Sequence, residues 1–279
     1  MLSESMPRPG MEHARYPGRT FSACVGSIDW RRIATSGDAV ARYSAGEKEL
    51  IQERLNLVRG RIAEALRESG RGSDEVRILV ASKYYALEQM AALAEAGVRL
   101  LGENKAEDLL RKQETFGDAF EWHFIGHLQR RKAKDVVSRV ALIHSVDSVR
   151  LVEELAKRAP EEGVEVLVQV NVSGEESKYG VGEGEIEPLL LAAARSEGKV
   201  RARGFATLAP LVERAEDVRY VFVKLRAIRD RLKSSWSLYF DLSELSMGMS
   251  NDYRVAVEEG ATIVRIGRAL IEETEEARS

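Results

Sequence analysis

The chain has 279 residues, 44% of them hydrophobic and 31% charged, with a formal net charge of −3. That is enough apolar material for one large core or two modest ones, and it supplies no global basic field for nucleic acid. No apolar run approaches the roughly 18 residues a membrane span requires, and the single cysteine, Cys24, excludes an internal disulfide and fits a reducing, cytoplasmic compartment.

Residues 1–45 contain Pro7, Pro9, Pro17 and several glycines without apolar periodicity. They lack the basic start and apolar stretch of a secretory signal. They read as a disordered N-terminal extension or an over-long start, which leaves one folded domain over residues 46–279. That domain opens with EKELIQERLNLVRGRIAEALRESG, where Leu50, Ile51, Leu55, Val58, Ile62 and Leu66 share one helical face and Gly70 is the stop. Short apolar runs then alternate with helical stretches. The runs cover 76–82, 98–103, 121–127, 141–147, 164–173, 200–209, 238–247 and 261–267.

Strict alternation of strand and helix implies a parallel sheet covered by helices. Eight such units in about 235 residues fit a closed (β/α)8 TIM barrel, in which each strand is followed by a helix or helix-like segment. The alternative is an open doubly wound sheet. It would place a glycine-rich fingerprint after its first strand, and SKYYALEQ has none.

Barrel sites gather at the C-terminal ends of the strands. Those ends carry Lys83, Glu103 with Asn104, His127, Asp147, Asn171 with Ser173, Thr207, Ser246 to Ser250, and Arg265 with Gly267. Lys83 marks either the exit of its strand into solvent or an amine placed for Schiff-base chemistry. Arg265 stands between Val264 and Ile266, which point to the opposite face, so a buried guanidinium there needs an acceptor. The candidates are a barrel carboxylate and a ligand atom. LSMGMSND (245–252) offers the Ser246 and Ser250 hydroxyls, with Gly248 relieving crowding between them. It follows strand seven, where barrels often bind phosphate, and Arg268 to Leu270 opens a helical turn whose free N–H groups suit an anion.

Other motifs carry less. SGEESKYG reads first as a solvated, charged turn, with Asn171 and Ser173 at the barrel mouth as the alternative. His123 and His127 flank Phe124, Ile125 and Gly126, which read as strand, and no zinc-type ligand spacing accompanies them. The run Arg130, Arg131, Lys132, Lys134 reads as an exposed helix face. A lysine amine, an arginine and an anion cradle together suit a phosphorylated aldehyde, and pyridoxal 5′-phosphate (PLP) would use all three.

The stretches VASK (80–83), GENKAEDLLRK (102–112), WHFIGHLQRRK (122–132), IHSVDS (143–148), NVSGEESKYG (171–180), GFATLAP (204–210) and LSMGMSNDYRVAVEEGATIVRIGRAL (245–270) closely resemble the YggS/PROSC family of PLP homeostasis proteins. The fold of that family is like the N-terminal barrel of alanine racemase. The resemblance implies that Lys83 bears PLP as an aldimine and that Arg265 partners the pyridine nitrogen. It further implies that Ser250, Gly267 and the backbone of Arg268 hold the phosphate, with Ser246 as a further member and Asn104 near the cofactor. Two departures stand out: Tyr84 and Tyr85 where the family usually has Thr and a nearby Pro, and Arg268 where a small residue usually follows RIG.

The implied function is intracellular PLP homeostasis without catalytic turnover. The protein would buffer PLP or deliver it to apo PLP-dependent enzymes, as a monomer or weak homodimer. A PLP-dependent amino-acid racemase is the alternative. It needs acid/base groups on both faces of the substrate, and in alanine racemases the resemblance assigns the second to a C-terminal β domain for which no room is expected here. A class I aldolase-type barrel explains the lysine and the cradle but leaves Arg265 without a role.

Overall fold

The computed structural model describes residues 45–72, 74–175 and 178–271. The extension expected over 1–45 lies outside them except for its last residue. The helix expected from Gly46 is α1 (Ala45–Glu68), which buries Leu55, Val58 and Ile62, and Gly70 ends it at φ 72°. The strands are β1 (Arg77–Ala81), β2 (Leu100–Glu103), β3 (Glu121–Phe124), β4 (Leu142–Val146), β5 (Val164–Gln169), β6 (Val200–Ala206), β7 (Glu244–Met249) and β8 (Ile263–Ile266). The further helices are α2 (Leu87–Glu95), α3 (Ala106–Phe116), α4 (Ala133–Val136), α5 (Val149–Arg158), α6 (Ile186–Ala194), α7 (Arg219–Ser235) and α8 (Tyr253–Glu258). No described helix is long and apolar enough to cross a membrane.

The strands pair in chain order, and β1 pairs in parallel with both β2 and β8, so the sheet closes into a barrel. Closure removes the open-sheet alternative. One local expectation is corrected. The seventh strand begins at Glu244 rather than 238, because Trp236, Tyr239 and Phe240 cluster at the end of α7 while Leu238 is exposed. The helical turn expected after β8 is a 3-10 turn, Arg268–Leu270. The helix that precedes β1 lies against it: α1 packs on α8, α2 and this turn. Arg254 of α8 reaches Glu64 at 3.5 Å and Glu68 at 2.8 Å on α1.

Alternation along each strand divides the interior from the helix layer. Val264 and Ile266 belong to the large core between sheet and helices, whereas Leu79, Leu100, Leu142, Leu167, Ala206 and Ile263 form a separate apolar cluster inside the barrel. Polar side chains fill the rest of the interior. At its N-terminal end Arg77 pairs with Glu244 at 2.8 Å and lies 4.0 Å from Glu121. From Glu121 a hydrogen-bonded chain climbs through His123 (2.9 Å), His144 (2.9 Å) and Ser246 (2.9 Å) to Arg265, whose NH1 donates to Ser246 Oγ at 2.6 Å.

The two ends fix the direction of this chain. A guanidinium only donates and a carboxylate only accepts. Ser246 therefore accepts from Arg265 and donates to His144 Nδ1, His144 Nε2–H donates to His123 Nδ1, and His123 Nε2–H donates to Glu121. One arrangement of protons satisfies every link, with both imidazoles neutral.

Burial holds both histidines below the ordinary imidazole value, His144 well below it because His123 and Arg265 also oppose its protonation. The His123 hydrogen bond lowers Glu121 as well. An unfolded histidine takes up a proton near pH 6.5, while burial makes these two take theirs up only at lower pH in the folded state. Below that pH the unfolded chain binds more protons, so stability falls as pH falls, by up to about 1.4 kcal/mol per pH unit for each histidine. Urea denaturation should therefore show a declining midpoint from pH 7 to pH 5. His144→Asn should flatten that decline while lowering stability at pH 7 by about 1–3 kcal/mol, because its neighbours lose a partner. A parent midpoint that does not move between pH 7 and 5 would contradict the neutral, uniquely oriented chain.

Candidate functional site

The apolar run of β1 stops at Ala81, and the chain makes a 3-10 turn over Ser82–Tyr84. The turn is fixed from behind. Tyr85 is buried, its N–H donates to the Ser82 carbonyl at 3.0 Å, and its hydroxyl donates to the Gly267 carbonyl at 3.4 Å. Lys83 is exposed, with its Nζ 4.7 Å from the centroid of the Tyr84 ring. Its amine opens on a cavity of about 280 Å³ at the C-terminal end of the barrel.

Six of the seven residues expected to bind the cofactor line this cavity: Lys83, Asn104, Ser250, Arg265, Gly267 and Arg268. The seventh, Ser246, is fully buried behind Arg265 as a link in the interior chain. It lies within β7, as do Gly248 and Met249, so the expected cradle after the strand is largely the strand itself. Gly248 does not separate the two serines either. At φ 89° it lets β7 pass close to α8, and a Cβ there would stand 2.6 Å from the Ala256 Cβ.

Arg265 forms the floor. Its NH1 donates to the Ser246 carbonyl at 2.8 Å and its NH2 to the Thr207 carbonyl at 2.7 Å. Both terminal nitrogens are thus held by neutral acceptors, which keeps a cation at the base of the cavity. Burial pushes the guanidinium down to about 10, and Asp252 partly offsets that. Arg265 remains charged at neutral pH.

At the opposite wall Ser250 Oγ accepts from the Gly267 and Ala269 N–H groups at 3.3 Å each, capping the turn that follows β8. These bonds are long, and the hydroxyl keeps its own proton to donate. Gly267 has no room for a side chain, since a Cβ would meet the Tyr84 ring at 2.6 Å. Asn104 supplies the most direct sign of a ligand. Its Oδ1 is buried without a hydrogen-bond partner, a state that costs about 1–3 kcal/mol unless a bound donor relieves it. A phosphorylated aldehyde fits this donor set: an amine, a fixed cation, a hydroxyl beside a glycine turn, and an unsatisfied acceptor.

Other strand-end residues go elsewhere. His127 pairs with Asp147 at 3.2 Å and stacks on Tyr179 at 4.2 Å. Asn171 is used within its own loop, donating to the Glu175 carbonyl at 2.9 Å and accepting from Gly174 N–H at 3.0 Å, which agrees with the charged-turn reading. Arg130, Arg131 and Lys134 are exposed, the first two on a 3-10 turn that precedes α4. Among the described residues no three metal-type side chains gather. Sequence reasoning missed the loop Leu208 to Val212, which forms another wall, and the contact of Tyr84 with Gly267. The signal for the loop was its place directly after strand six.

The model of the alanine racemase N-terminal domain family matches residues 63–274. The pyridoxal phosphate homeostasis protein of Aquifex aeolicus is 42% identical over 224 residues, covering 79% of this chain and 97% of its own. Among solved structures, an unknown protein from Bifidobacterium adolescentis superposes with a TM-score of 0.75 at 31% identity, covering 83% of this chain and 99% of its own. PipY of Synechococcus elongatus, solved with PLP bound, gives a TM-score of 0.70 at 30% identity, covering 80% of this chain and 100% of its own. With its closed eight-stranded barrel and these relatives, the chain belongs to the family of pyridoxal phosphate homeostasis proteins built on the alanine racemase N-terminal domain.

Proposed function

We propose that the protein binds PLP covalently through Lys83 and serves intracellular PLP homeostasis, buffering the cofactor or delivering it to apo PLP-dependent enzymes. The observation that carries this reading is the convergence of Lys83, Arg265 and the Ser250–Gly267 wall on one cavity with an unpaired Asn104 acceptor. The PLP-bound PipY structure and the name of the Aquifex relative support it. When bound, PLP supplies an aldehyde that an amine can hold and an electron sink for amino-acid chemistry. In this reading Lys83 holds the aldehyde end and Arg265 the pyridine nitrogen. Ser250, Gly267 and the backbone of Arg268 hold the phosphate, and Asn104 Oδ1 accepts a donor on the ligand.

The same residues argue against turnover. Arg265 is a fixed cation already committed to three acceptor atoms. At the pyridine nitrogen it disfavours a proton and so weakens the electron sink that racemisation exploits. Tyr84, the tyrosine next to the lysine, is in contact with the Lys83 amine rather than set against it across the cavity. The homeostasis names of the relatives support a non-catalytic role.

Three outcomes follow. Purified protein mixed with PLP should show a visible absorption band that borohydride removes, with the reduced adduct on Lys83, and Lys83→Ala should lose the band while keeping its fold. An adduct mapped to another lysine would sink the assignment. Pyridoxal without its phosphate should bind at least roughly tenfold more weakly, as loss of one or two charge-assisted hydrogen bonds implies. Equal affinities would remove the phosphate from the Ser250–Gly267 wall. In deuterated water, PLP-loaded protein should leave the optical activity of L- and D-amino acids essentially unchanged over hours. Rapid racemisation abolished by Lys83→Ala would make the protein a racemase.

A further inference from the structure

A second set of charges lies behind the turn that carries Lys83. Lys112 on α3 is 3% exposed and Glu103 at the end of β2 is fully buried, and the two form an ion pair. Neither lines the cavity, and the reading given above uses neither. Their remaining bonds lead to Ser82 and to the Asn104 N–H, beside the site. Lys112 Nζ donates to the Ser82 carbonyl at 2.7 Å. The Ser82 hydroxyl donates to Glu103 Oε1 at 2.6 Å, sharing its proton with the Gly102 carbonyl at 3.1 Å. The other carboxylate oxygen, Glu103 Oε2, accepts the Asn104 N–H at 3.1 Å.

One ammonium and one carboxylate therefore tie the turn after β1 to the end of β2 and the helix that follows it, about twenty to thirty residues further along the chain. The groups they grip sit one residue before Lys83 and at the backbone of Asn104. Stability does not account for this arrangement. Two charges taken fully out of water roughly break even against a well-packed apolar pair, and many such pairs can be replaced without loss of fold. What an apolar pair cannot do is bind a carbonyl, a hydroxyl and an N–H at once. The Lys83 turn is one short 3-10 turn, a conformation with poor intrinsic hydrogen-bond geometry. Its exposed lysine side chain rests on the Tyr84 ring, and the backbone beneath sets where both stand.

We propose that Lys112 and Glu103 are positioning residues: a buried clamp that holds the Lys83 turn and Asn104 in ligand-ready register before any ligand arrives. The proposal rests on the cofactor reading of the cavity and adds residues that do not touch the cofactor. Pre-organisation of this kind raises affinity by removing the ordering cost from the binding step.

The test uses the full chain and the double variant Lys112→Met/Glu103→Leu, which removes both charges together and leaves no unpaired ion. Far-UV circular dichroism and thermal melting report the fold. In protein without PLP, amide hydrogen exchange at Lys83 to Tyr85 and at Asn104 should accelerate by about tenfold or more, the loss expected from one or two hydrogen bonds, while β8 amides keep the parent rate. PLP should then bind about tenfold more weakly, with the reduced adduct still on Lys83. A folded double variant with parent exchange and parent affinity would overturn the clamp. Should the double variant not fold, Ser82→Ala removes only the hydroxyl link and should raise local exchange at the same amides by a few-fold. Parent rates there would overturn the proposal equally. A parent protein that binds no PLP would instead remove the cofactor reading, and exchange in the ligand-free chain would still decide whether the clamp exists.

Discussion

The pairing of β1 with β8 is the constraint on which the rest of this molecule depends. Leu79 stands opposite Arg265 and Val80 opposite Ile266 in that ladder, so the strand that delivers Lys83 runs beside the strand that delivers the guanidinium. The sheet could not enclose an interior without it. The Tyr84 ring would have no glycine to rest on, and Ser250 would cap a turn remote from the lysine. A few main-chain hydrogen bonds between the two ends of the fold thus convert eight separate strand ends into one cavity.

Closure also creates a problem, which is how to fill a barrel that holds a buried cation at its mouth. The interior answers with a graded column. Leu79, Leu100, Leu142 and Ile263 supply apolar bulk. Between them the line from Arg265 to Glu121 carries the guanidinium's donors toward the opposite end of the barrel without placing a carboxylate in direct contact with it. A directly paired carboxylate would neutralise the floor of the cavity. Neutral imidazoles and a hydroxyl satisfy the geometry and leave the positive charge available to a ligand. Ser246 is the residue where these needs meet, because its oxygen accepts from arginine while its proton goes to His144.

Much of this was legible in the chain. Period-two alternation set Arg265 on the face opposite Val264 and Ile266, and the barrel-end rule drew attention to Lys83 and Asn104. Strand seven misled because LYFDL has the aromatic, β-prone composition of a strand, whereas its rings are used to seal the end of α7. The role of Ser246 was hidden since a hydroxyl near a phosphate-prone strand looks the same in sequence whether it faces the ligand or the residue behind it. Lys112 gave no sign at all. It falls in DLLRKQE, a stretch with the charge density of a solvated helix face, and only the approach of β1 and β2 shows that it points inward. The packing of α1 was equally inaccessible, because no local pattern says that it will lie against α8 and the turn beyond β8.

That last feature governs how the protein comes into being. Arg71, just after α1, donates to the carbonyls of Val257 and Ala261, contacts separated by 186 and 190 positions in the chain. Part of the packing of α1 therefore waits for partners that are translated nearly at the end. At about 5–20 residues per second, the interval is on the order of 10–40 seconds. Throughout that time α1 can pack on α2 but lacks its α8 neighbour, and β1 lacks its β8 partner. The site itself is the last thing to be made, for nothing upstream of β8 can assemble it.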